Sequence, residues 1–231
     1  MLNKKQCISA LLLLAASGSA LASDGIVLGA TRVVYNSDSR ETSLTVHNDS
    51  DKQFFLVQSW VDDAKGNKSV PFAITPPLFR LNAKKDNMLR IVKTGGELPN
   101  DRESVYWLNV KAIPPAPEAG QGQNVLQLAI KTRIKLFYRP AGLAGKAGEA
   151  PAALQWSVQG NDLVAKNPTP YSVTLNTLSI GGKEIKNVNL VMPKSEEHYK
   201  LPAGSGKGNS VSYTAINDYG GIDKEITTKT N

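Results

Sequence analysis

The chain has few of the side chains on which enzymes and metal sites depend. It contains one cysteine and two histidines among 231 residues. Because zinc sites and nucleophile–base pairs need such residues in clusters, the isolated His47 and His198 favour a structural or surface role. No zinc spacing, Gly-x-Ser-x-Gly turn or Walker loop occurs. We therefore predict no catalytic residue, no metal and no cofactor, and a secreted enzyme is disfavoured.

Long hydrophobic runs are also absent. The one pronounced run, Ile8 to Ala16, follows Lys4 and Lys5 and precedes a small-residue cleavage pattern ending at Ala22. This order is typical of a secretory signal peptide, and the run is shorter than the roughly 20 residues that span a bilayer. We predict a signal peptide over residues 1–22 and an exported protein that is not embedded in the membrane. The only cysteine would leave with that peptide, so the mature chain must be stabilised by its core rather than by disulfides.

The charge is modestly positive, with a formal net value of +7 at pH 7. Every arginine lies before Pro140. Arginine suits bidentate contacts with carboxylate or phosphate groups. No dense basic run with interleaved aromatic residues is present, so a nucleic-acid partner is not predicted. An anionic group on another kind of partner fits the charge better.

The hydrophobic pattern indicates β-structure throughout. Short runs rich in valine, isoleucine, threonine and aromatic residues alternate with turn residues, and no long amphipathic helix is indicated. About seven strands over roughly 120 residues fit an immunoglobulin-like sandwich. The predicted strands of this first part are Ile26 to Tyr35, Ser43 to His47, Gln53 to Val61, Met88 to Val92, Val105 to Ile113 and Val125 to Tyr138.

A change of composition after Pro140 predicts a domain boundary. The stretch from Ala141 to Gly148 consists mainly of small residues without a period, which is typical of a linker. We predict an all-β chain with two β-sandwich domains, residues 23–140 and 141–231. The predicted strands of the second are Leu154 to Val158, Asp162 to Ala165, Ser172 to Ile180, Ile185 to Val191, His198 to Leu201 and Ser210 to Ile216.

Two cationic residues, Arg32 and Lys135, lie inside apolar predicted strands. A charge buried without a partner is costly. Either both side chains alternate outward into solvent, or both project where the two domains meet. In the second case they would bind a carboxylate well, because charge-assisted hydrogen bonds are strong.

An alternating apolar row, Leu126, Leu128 and Ile130, shares one face of its predicted strand. The pattern alone favours a face that points into the core of its own domain. The alternative is a face offered to a partner whose sheet is incomplete, by β-strand addition.

A set of motifs in order along the chain gives a resemblance to a known family. They are Gly29-Ala30-Thr31-Arg32-Val33-Val34-Tyr35, Thr75-Pro76-Pro77-Leu78-Phe79, Leu98-Pro99-Asn100-Asp101-Arg102-Glu103-Ser104, Lys111-Ala112-Ile113-Pro114, Ile134-Lys135-Leu136-Phe137-Tyr138-Arg139-Pro140, Asn167-Pro168-Thr169-Pro170-Tyr171 and Ile216-Asn217-Asp218-Tyr219-Gly220. Together they resemble the periplasmic pilus (fimbrial) chaperones of the chaperone–usher pathway.

This resemblance implies two immunoglobulin-like domains in an L-shape with a cleft between them. In that arrangement Arg32 and Lys135 would bind the C-terminal carboxylate of a pilus subunit. Leu126, Leu128 and Ile130 would lie on a strand lent to the subunit, which lacks the last strand of its own sandwich. The chaperone would work in the periplasm and deliver subunits to an outer-membrane usher without a nucleotide.

Further residues carry roles by the same resemblance. Arg90, Glu103 and Asp218 would form an ion network between the domains, and Pro76 would follow a cis peptide bond. The short segment 114–123 implies the short-loop branch, which assembles rod-like pili. Self-association of the free protein is kept as a hypothesis, since exposed apolar edges seek partners. The alternative function is a structural or adhesive module of a surface fibre. The short stretch before the first predicted strand disfavours it, because a fibre subunit carries its own donor extension.

Overall fold

The computed structural model describes residues 25–116 and 126–230. The predicted signal peptide and residues 117–125, the last of which begins the predicted donor strand, lie outside these ranges. In the described ranges the regular structure is β-strand apart from two short 3₁₀ turns, Ala147–Glu149 and Pro151–Ala153. Among the described helical segments, none is long and apolar enough to cross a membrane.

The first domain is a sandwich of two sheets. Strands are numbered β1 to β17 in chain order. One sheet has the order β1-β3-β7-β5 and is antiparallel. The other has the order β2-β9-β8-β4-β6, in which only β2 and β9 run parallel. The strands are β1 Ile26–Leu28, β2 Arg32–Asn36, β3 Thr42–Asn48, β4 Phe55–Asp62, β5 Phe72–Thr75, β6 Leu78–Leu81, β7 Asp86–Lys93, β8 Ser104–Ile113 and β9 Ile130–Arg139.

The predicted first strand is divided between the two sheets. β1 pairs with β3, whereas β2 pairs with β9 in the opposite sheet. At the crossing point the Gly29 N–H donates to the Thr45 carbonyl at 2.9 Å. The prediction of one strand was wrong because the apolar run is continuous, and a change of sheet leaves no mark in the hydrophobic pattern. The crossing makes Arg32 the first residue of β2.

The first core lies between these sheets. Leu44 and Leu89 from the four-stranded sheet face Leu108 and Leu136 from the five-stranded sheet, and all four are buried. Every second residue of each strand points inward, as expected for two packed sheets. The other residues of β9 and β8 therefore point to the outer face of the five-stranded sheet, where Lys135 lies.

The second domain is also a sandwich, with its own apolar core around Trp156, Leu163, Ile180 and Tyr213. Its sheets have the orders β10-β11-β15 and β13-β12-β16-β17, with β14 paired to β12. The strands are β10 Gln155–Gln159, β11 Asp162–Asn167, β12 Val173–Ile180, β13 Lys183–Glu184, β14 Leu190–Val191, β15 Ser195–Lys200, β16 Ser210–Ile216 and β17 Ile226–Lys229.

One predicted strand of this domain is mostly wrong. Of the run from Ile185 to Val191, the last two residues form the strand β14, which pairs with β12. Asn187 has a φ of 58°. That left-handed conformation interrupts an extended chain, and asparagine tolerates it better than most residues.

Candidate functional site

Arg32 and Lys135 lie side by side at the junction of the two domains. They are direct register partners in the parallel pair of β2 and β9. Neighbouring strands are about 4.8 Å apart, so the two cationic side chains start close together and on the same sheet face. That face is opposite to the first core, because Val33 and Leu136, the next residues along each strand, are buried in it.

The Arg32 guanidinium is nearly buried, with 8% of the residue exposed. Its Nη1 donates to the Ile216 carbonyl of the second domain at 2.9 Å, whereas its Nε has no partner within the described ranges. A buried donor without an acceptor costs free energy. Desolvation lowers the pKa of Arg32, and attraction to Asp218 opposes that effect. An anion bound to this guanidinium would supply an acceptor for Nε and would compensate the desolvated positive charge.

Lys135 is half-buried, and its ammonium has neither a hydrogen bond nor an ion pair with any part of the chain that the structure describes. Its ammonium lies 5.3 Å from the centre of the Trp107 ring. Burial lowers the pKa of Lys135, and the positive charge of Arg32 lowers it further. Two adjacent cations in a partly desolvated place favour binding of an anion between or beside them.

A cavity of about 150 Å³ lies next to Arg32, between the domains. Glu103, Ser172, Ile216 and Asp218 contribute to its wall, and Tyr219, which is 97% exposed, lies at its edge. Lys135 is not part of the wall but flanks Arg32 on the sheet. The volume is well below the roughly 300–1,000 Å³ of a site for a drug-sized molecule, and it suits a small terminal group of a larger partner.

Glu103 is the centre of the contacts that join the domains. Only 3% of this residue is exposed. Its Oε1 accepts a hydrogen bond from Arg139 Nε at 2.6 Å, and its Oε2 accepts one from the Ser172 N–H at 2.8 Å. Its own N–H donates to the Pro170 carbonyl at 2.9 Å. The carboxylate therefore bonds to both domains at once.

Arg139 extends this network to Asp218. Its Nη1 and Nη2 donate to the two carboxylate oxygens of Asp218 at 2.8 and 2.9 Å. Burial lowers the pKa of Arg139, but the bonds to Asp218 and Glu103 outweigh that effect and raise it above the usual range. The planar fork of arginine suits this bidentate arrangement.

The expectation that Arg90 belongs to this network is wrong. Arg90 lies on β7 of the four-stranded sheet and bonds to Glu41, with Nε 3.1 Å from both carboxylate oxygens. Glu103 precedes β8 of the other sheet, and the sandwich core separates the two. Arg139 takes the expected role because it ends β9 at the domain junction. Its position directly before Pro140 and the small-residue linker was the signal available in the sequence.

A close backbone approach adds to the contact between the domains. Gly220 has a φ of +86°, and a Cβ at this residue would overlap the Thr31 hydroxyl of the first domain. Thr31 directly precedes Arg32, so this packing bears on the cationic site. The structure therefore needs glycine at residue 220 for both its conformation and its lack of a side chain.

Gly220→Ala is expected to lower the melting temperature by several degrees more than Gly142→Ala. Gly142 has a similar φ of +76° with open space around it, so that variant carries the backbone strain without the overlap. Such strain alone costs about 1–3 kcal/mol. Thermal unfolding of both variants measures the difference. The added variant Thr31→Ala should restore part of the loss in Gly220→Ala, and equal melting temperatures for the two glycine variants would contradict this contact.

The apolar row that leads into β9 and ends at its first residue is exposed. Leu126, Leu128 and Ile130 are 82%, 66% and 63% exposed. They share the parity of Ile134 and Leu136, which are buried in the first core. The structure therefore does not place the row in the core of its own domain.

Pairing of this segment with β8 ends at Ile130, opposite Ala112. The next residues on the β8 side include Pro114 and Pro115, which have no N–H to donate. The predicted strand therefore begins later than expected, and its first residue, Val125, lies outside the described ranges. Leu128 and Ile130 border a mainly apolar cavity of about 80 Å³ together with Phe55 and Val110. This open end of the sandwich leaves apolar surface without a cover.

The Thr75–Pro76 peptide bond is cis. In the described ranges no group of three or more histidine, cysteine, aspartate or glutamate side chains is arranged to hold a metal.

Comparison with known proteins shows that two family models match consecutive parts of the chain. A family model described as "Pili and flagellar-assembly chaperone, PapD N-terminal domain" matches residues 25–144. A second, "Pili assembly chaperone PapD, C-terminal domain", matches residues 149–227. The chain is 48% identical over 208 residues to the chaperone protein LpfB of Salmonella typhimurium, which covers 90% of each chain.

Two solved structures are similar over almost their whole length. The E. coli chaperone DraB is 43% identical, with a TM-score of 0.81 over 90% of this chain and 97% of that one. The SafB chaperone of Salmonella enterica, solved with the SafA pilin, is 36% identical, with a TM-score of 0.82 over 91% of this chain and 98% of that chain. This family is a class of chaperones and not of enzymes. The chain belongs to the PapD family of pilus assembly chaperones.

Proposed function

We propose that this chaperone works in the periplasm and binds pilus subunits by lending them a strand. The observation that carries the proposal is the exposed row of Leu126, Leu128 and Ile130, which continues directly into β9. Alternate apolar side chains on an unpaired strand can fill a groove in an incomplete sandwich while the backbone completes its hydrogen bonds. SafB, a similar chaperone, was solved in complex with the SafA pilin.

The cationic pair would set the position of the subunit along β9. The distance from Leu128 to Lys135 is about 23 Å at about 3.3 Å per residue. A subunit whose terminal carboxylate binds Arg32 and Lys135 would therefore place its final residues along the exposed row. Because the side-chain period of a strand is two, a shift by one residue would turn every apolar side chain away. The carboxylate would thus select the register in which the row fits the groove.

Several features of the proposed pathway follow from family membership. Residues 1–22 would direct export, and residues 23–140 and 141–231 would be the two domains. The subunit would pass to an outer-membrane usher, and the short segment 114–123 would suit the branch that assembles rod-like pili. The free protein would cover its exposed row by self-association, since unpaired apolar strands are aggregation hazards. A fibre module is not favoured, because the chain matches chaperones over both domains.

Capture of a pilin tests the strand assignment. Leu128→Glu is expected to reduce co-purification of a co-expressed pilin subunit at least tenfold, because a charge cannot enter an apolar groove without a partner. The melting temperature of the free chaperone should hardly change, since Leu128 is 66% exposed. The readout is the yield of complex per mole of chaperone.

Met88→Glu is the matched control. Met88 is also exposed, at 54%, but lies on β7 in the sheet that does not contain the proposed donor strand. Capture by this variant should equal that of the wild type. A Leu128→Glu protein that keeps its pilin, or one that loses stability as strongly as capture, would overturn the proposal.

A further inference from the structure

Four side chains form a continuous row across the outer face of the five-stranded sheet. Asp62 on β4 pairs with Trp107 on β8, Trp107 pairs with Lys135 on β9, and Lys135 pairs with Arg32 on β2. Register partners in a sheet share a face, so the row runs carboxylate, indole, ammonium, guanidinium. The two cations are neighbours at the end that meets the second domain.

Two neighbouring cations repel each other, and partial burial strengthens this repulsion. A free lysine side chain would respond by swinging its ammonium away into water. Lys135 instead keeps its ammonium 5.3 Å from the centre of the Trp107 ring, on the side away from Arg32 in the row. A cation within about 6 Å of an aromatic face is attracted by the ring quadrupole.

The Trp107 ring has a second cationic neighbour on β9. The Arg133 guanidinium lies 4.5 Å from the ring centre. Its Nη2 donates to Asp62 Oδ1 and to the Asp63 carbonyl, both at 2.9 Å. The indole therefore contacts the Arg133 side chain, which is hydrogen-bonded to the end of β4. This contact restricts the position of the ring, against which the Lys135 ammonium lies.

An aromatic ring at this position has an advantage over an acidic side chain. A carboxylate beside Lys135 would form an ion pair and compete with an incoming carboxylate for the ammonium. The ring attracts the ammonium without supplying a hydrogen-bond acceptor of comparable strength, so the charge and its donors stay available. The same contact offsets part of the repulsion by Arg32.

We propose that Trp107 is the positioning residue of the carboxylate anchor, holding the Lys135 ammonium beside Arg32 in the orientation that a terminal carboxylate requires. Trp107 acts through Lys135. The inference rests on the proposed function, because it concerns how the same pair of cations binds the end of a subunit.

The experiment compares Trp107→Leu with Trp107→Phe in peptide titrations. The probe is a synthetic peptide copying the C-terminal strand of a pilin, prepared with a free carboxylate and as the C-terminal amide. Trp107→Leu should lower the ratio of acid to amide affinity by about 3- to 30-fold, in keeping with the strength of a cation–π contact. Trp107→Phe keeps an aromatic face and should retain most of that ratio. Affinity for the amide should stay constant in both.

A spectroscopic measurement on the unmutated protein makes the test independent of folding. Reductive ¹³C-methylation keeps the lysine charge, and the methyl signal of Lys135, assigned with Lys135→Arg, should be shifted upfield by the ring current of Trp107. Lys131, exposed on the same strand and face, provides the unshifted reference. An unshifted Lys135 signal would overturn the inference even if Trp107→Leu failed to fold.

The outcomes separate this inference from the function on which it rests. If Trp107→Leu weakens the acid and amide peptides equally, the residue is only structural and the inference fails. If Trp107→Leu leaves the ratio of acid to amide affinity unchanged while Lys135→Ala lowers that ratio, the inference about Trp107 fails. The assignment of Arg32 and Lys135 as the carboxylate anchor is then still supported. If Arg32→Ala and Lys135→Ala also leave the ratio at the wild-type value, the anchor itself is wrong.

Discussion

Replacement of Arg32 or Lys135 by alanine is expected to abolish detectable capture of a subunit ending in a free carboxylate. Truncation of one partner of a largely desolvated charge pair costs about 2–5 kcal/mol, which corresponds to roughly 30-fold to several-thousand-fold in affinity. Calorimetric titration with the peptide that carries a free carboxylate measures this loss of affinity directly.

The physical reason lies in what each cation lacks in the free protein. Arg32 Nε is buried without an acceptor, and burial together with Arg32 lowers the pKa of Lys135. A carboxylate supplies the missing acceptor and the missing negative charge at once. Removal of either cation leaves the carboxylate only partly compensated in a place that water reaches poorly.

Lys131→Ala is the control for this prediction. Lys131 lies on the same strand and the same outward face as Lys135, but it is exposed and opposite Lys111 rather than near the second domain. The Lys131→Ala variant should bind the acid peptide with the affinity of the wild type, apart from a small effect of net charge. Normal binding by both Arg32→Ala and Lys135→Ala, with folding intact, would show that the carboxylate binds elsewhere.

Glu103→Ala is expected to lower the free energy of unfolding by about 3–5 kcal/mol. The substitution removes the carboxylate that accepts hydrogen bonds from Arg139 and from the Ser172 N–H, and it leaves both donors in a buried junction. A buried ion pair adds little net stability when intact. The substitution, however, leaves Arg139 with Asp218 as its remaining carboxylate partner and the Ser172 N–H without its acceptor. Guanidinium unfolding followed by tryptophan fluorescence measures the change, with Trp107 and Trp60 in the first domain and Trp156 in the second.

Glu41→Ala provides the contrast. Its carboxylate pairs with Arg90 at the surface, so water replaces the lost contact and stability should hardly change. The free energy of unfolding of Glu103→Gln should lie between those of Glu103→Ala and Glu41→Ala, because the glutamine amide oxygen still accepts one of the hydrogen bonds. Equal stability of Glu103→Ala and Glu41→Ala would show that the junction is wetter than the structure indicates.

The main features of the fold could be predicted from the sequence because they depend on local pattern. Alternation in β3 and β16 follows directly from the burial of one strand face, and the chain forms two separate apolar cores. The sheet change after Leu28 and the left-handed Asn187 could not be predicted, because a partner strand or a single dihedral angle leaves no period in the sequence.

The scarcity of histidine and cysteine, the β pattern and the order of motifs that resembles the pilus chaperones can be read from the sequence alone. Arg32, Lys135 and the row beginning at Leu126 stand out there as well. The direction in which these residues point depends on strand pairing and on the packing of the two sandwiches. The row and the buried Leu136 occupy alternate positions on the same strand face, so the pattern alone favoured burial of the row in the core. The row is exposed because pairing with β8 stops where prolines remove the N–H donors. Likewise Arg139 and not Arg90 joins the domains, since only the packing of the two sandwiches places one arginine between two carboxylates.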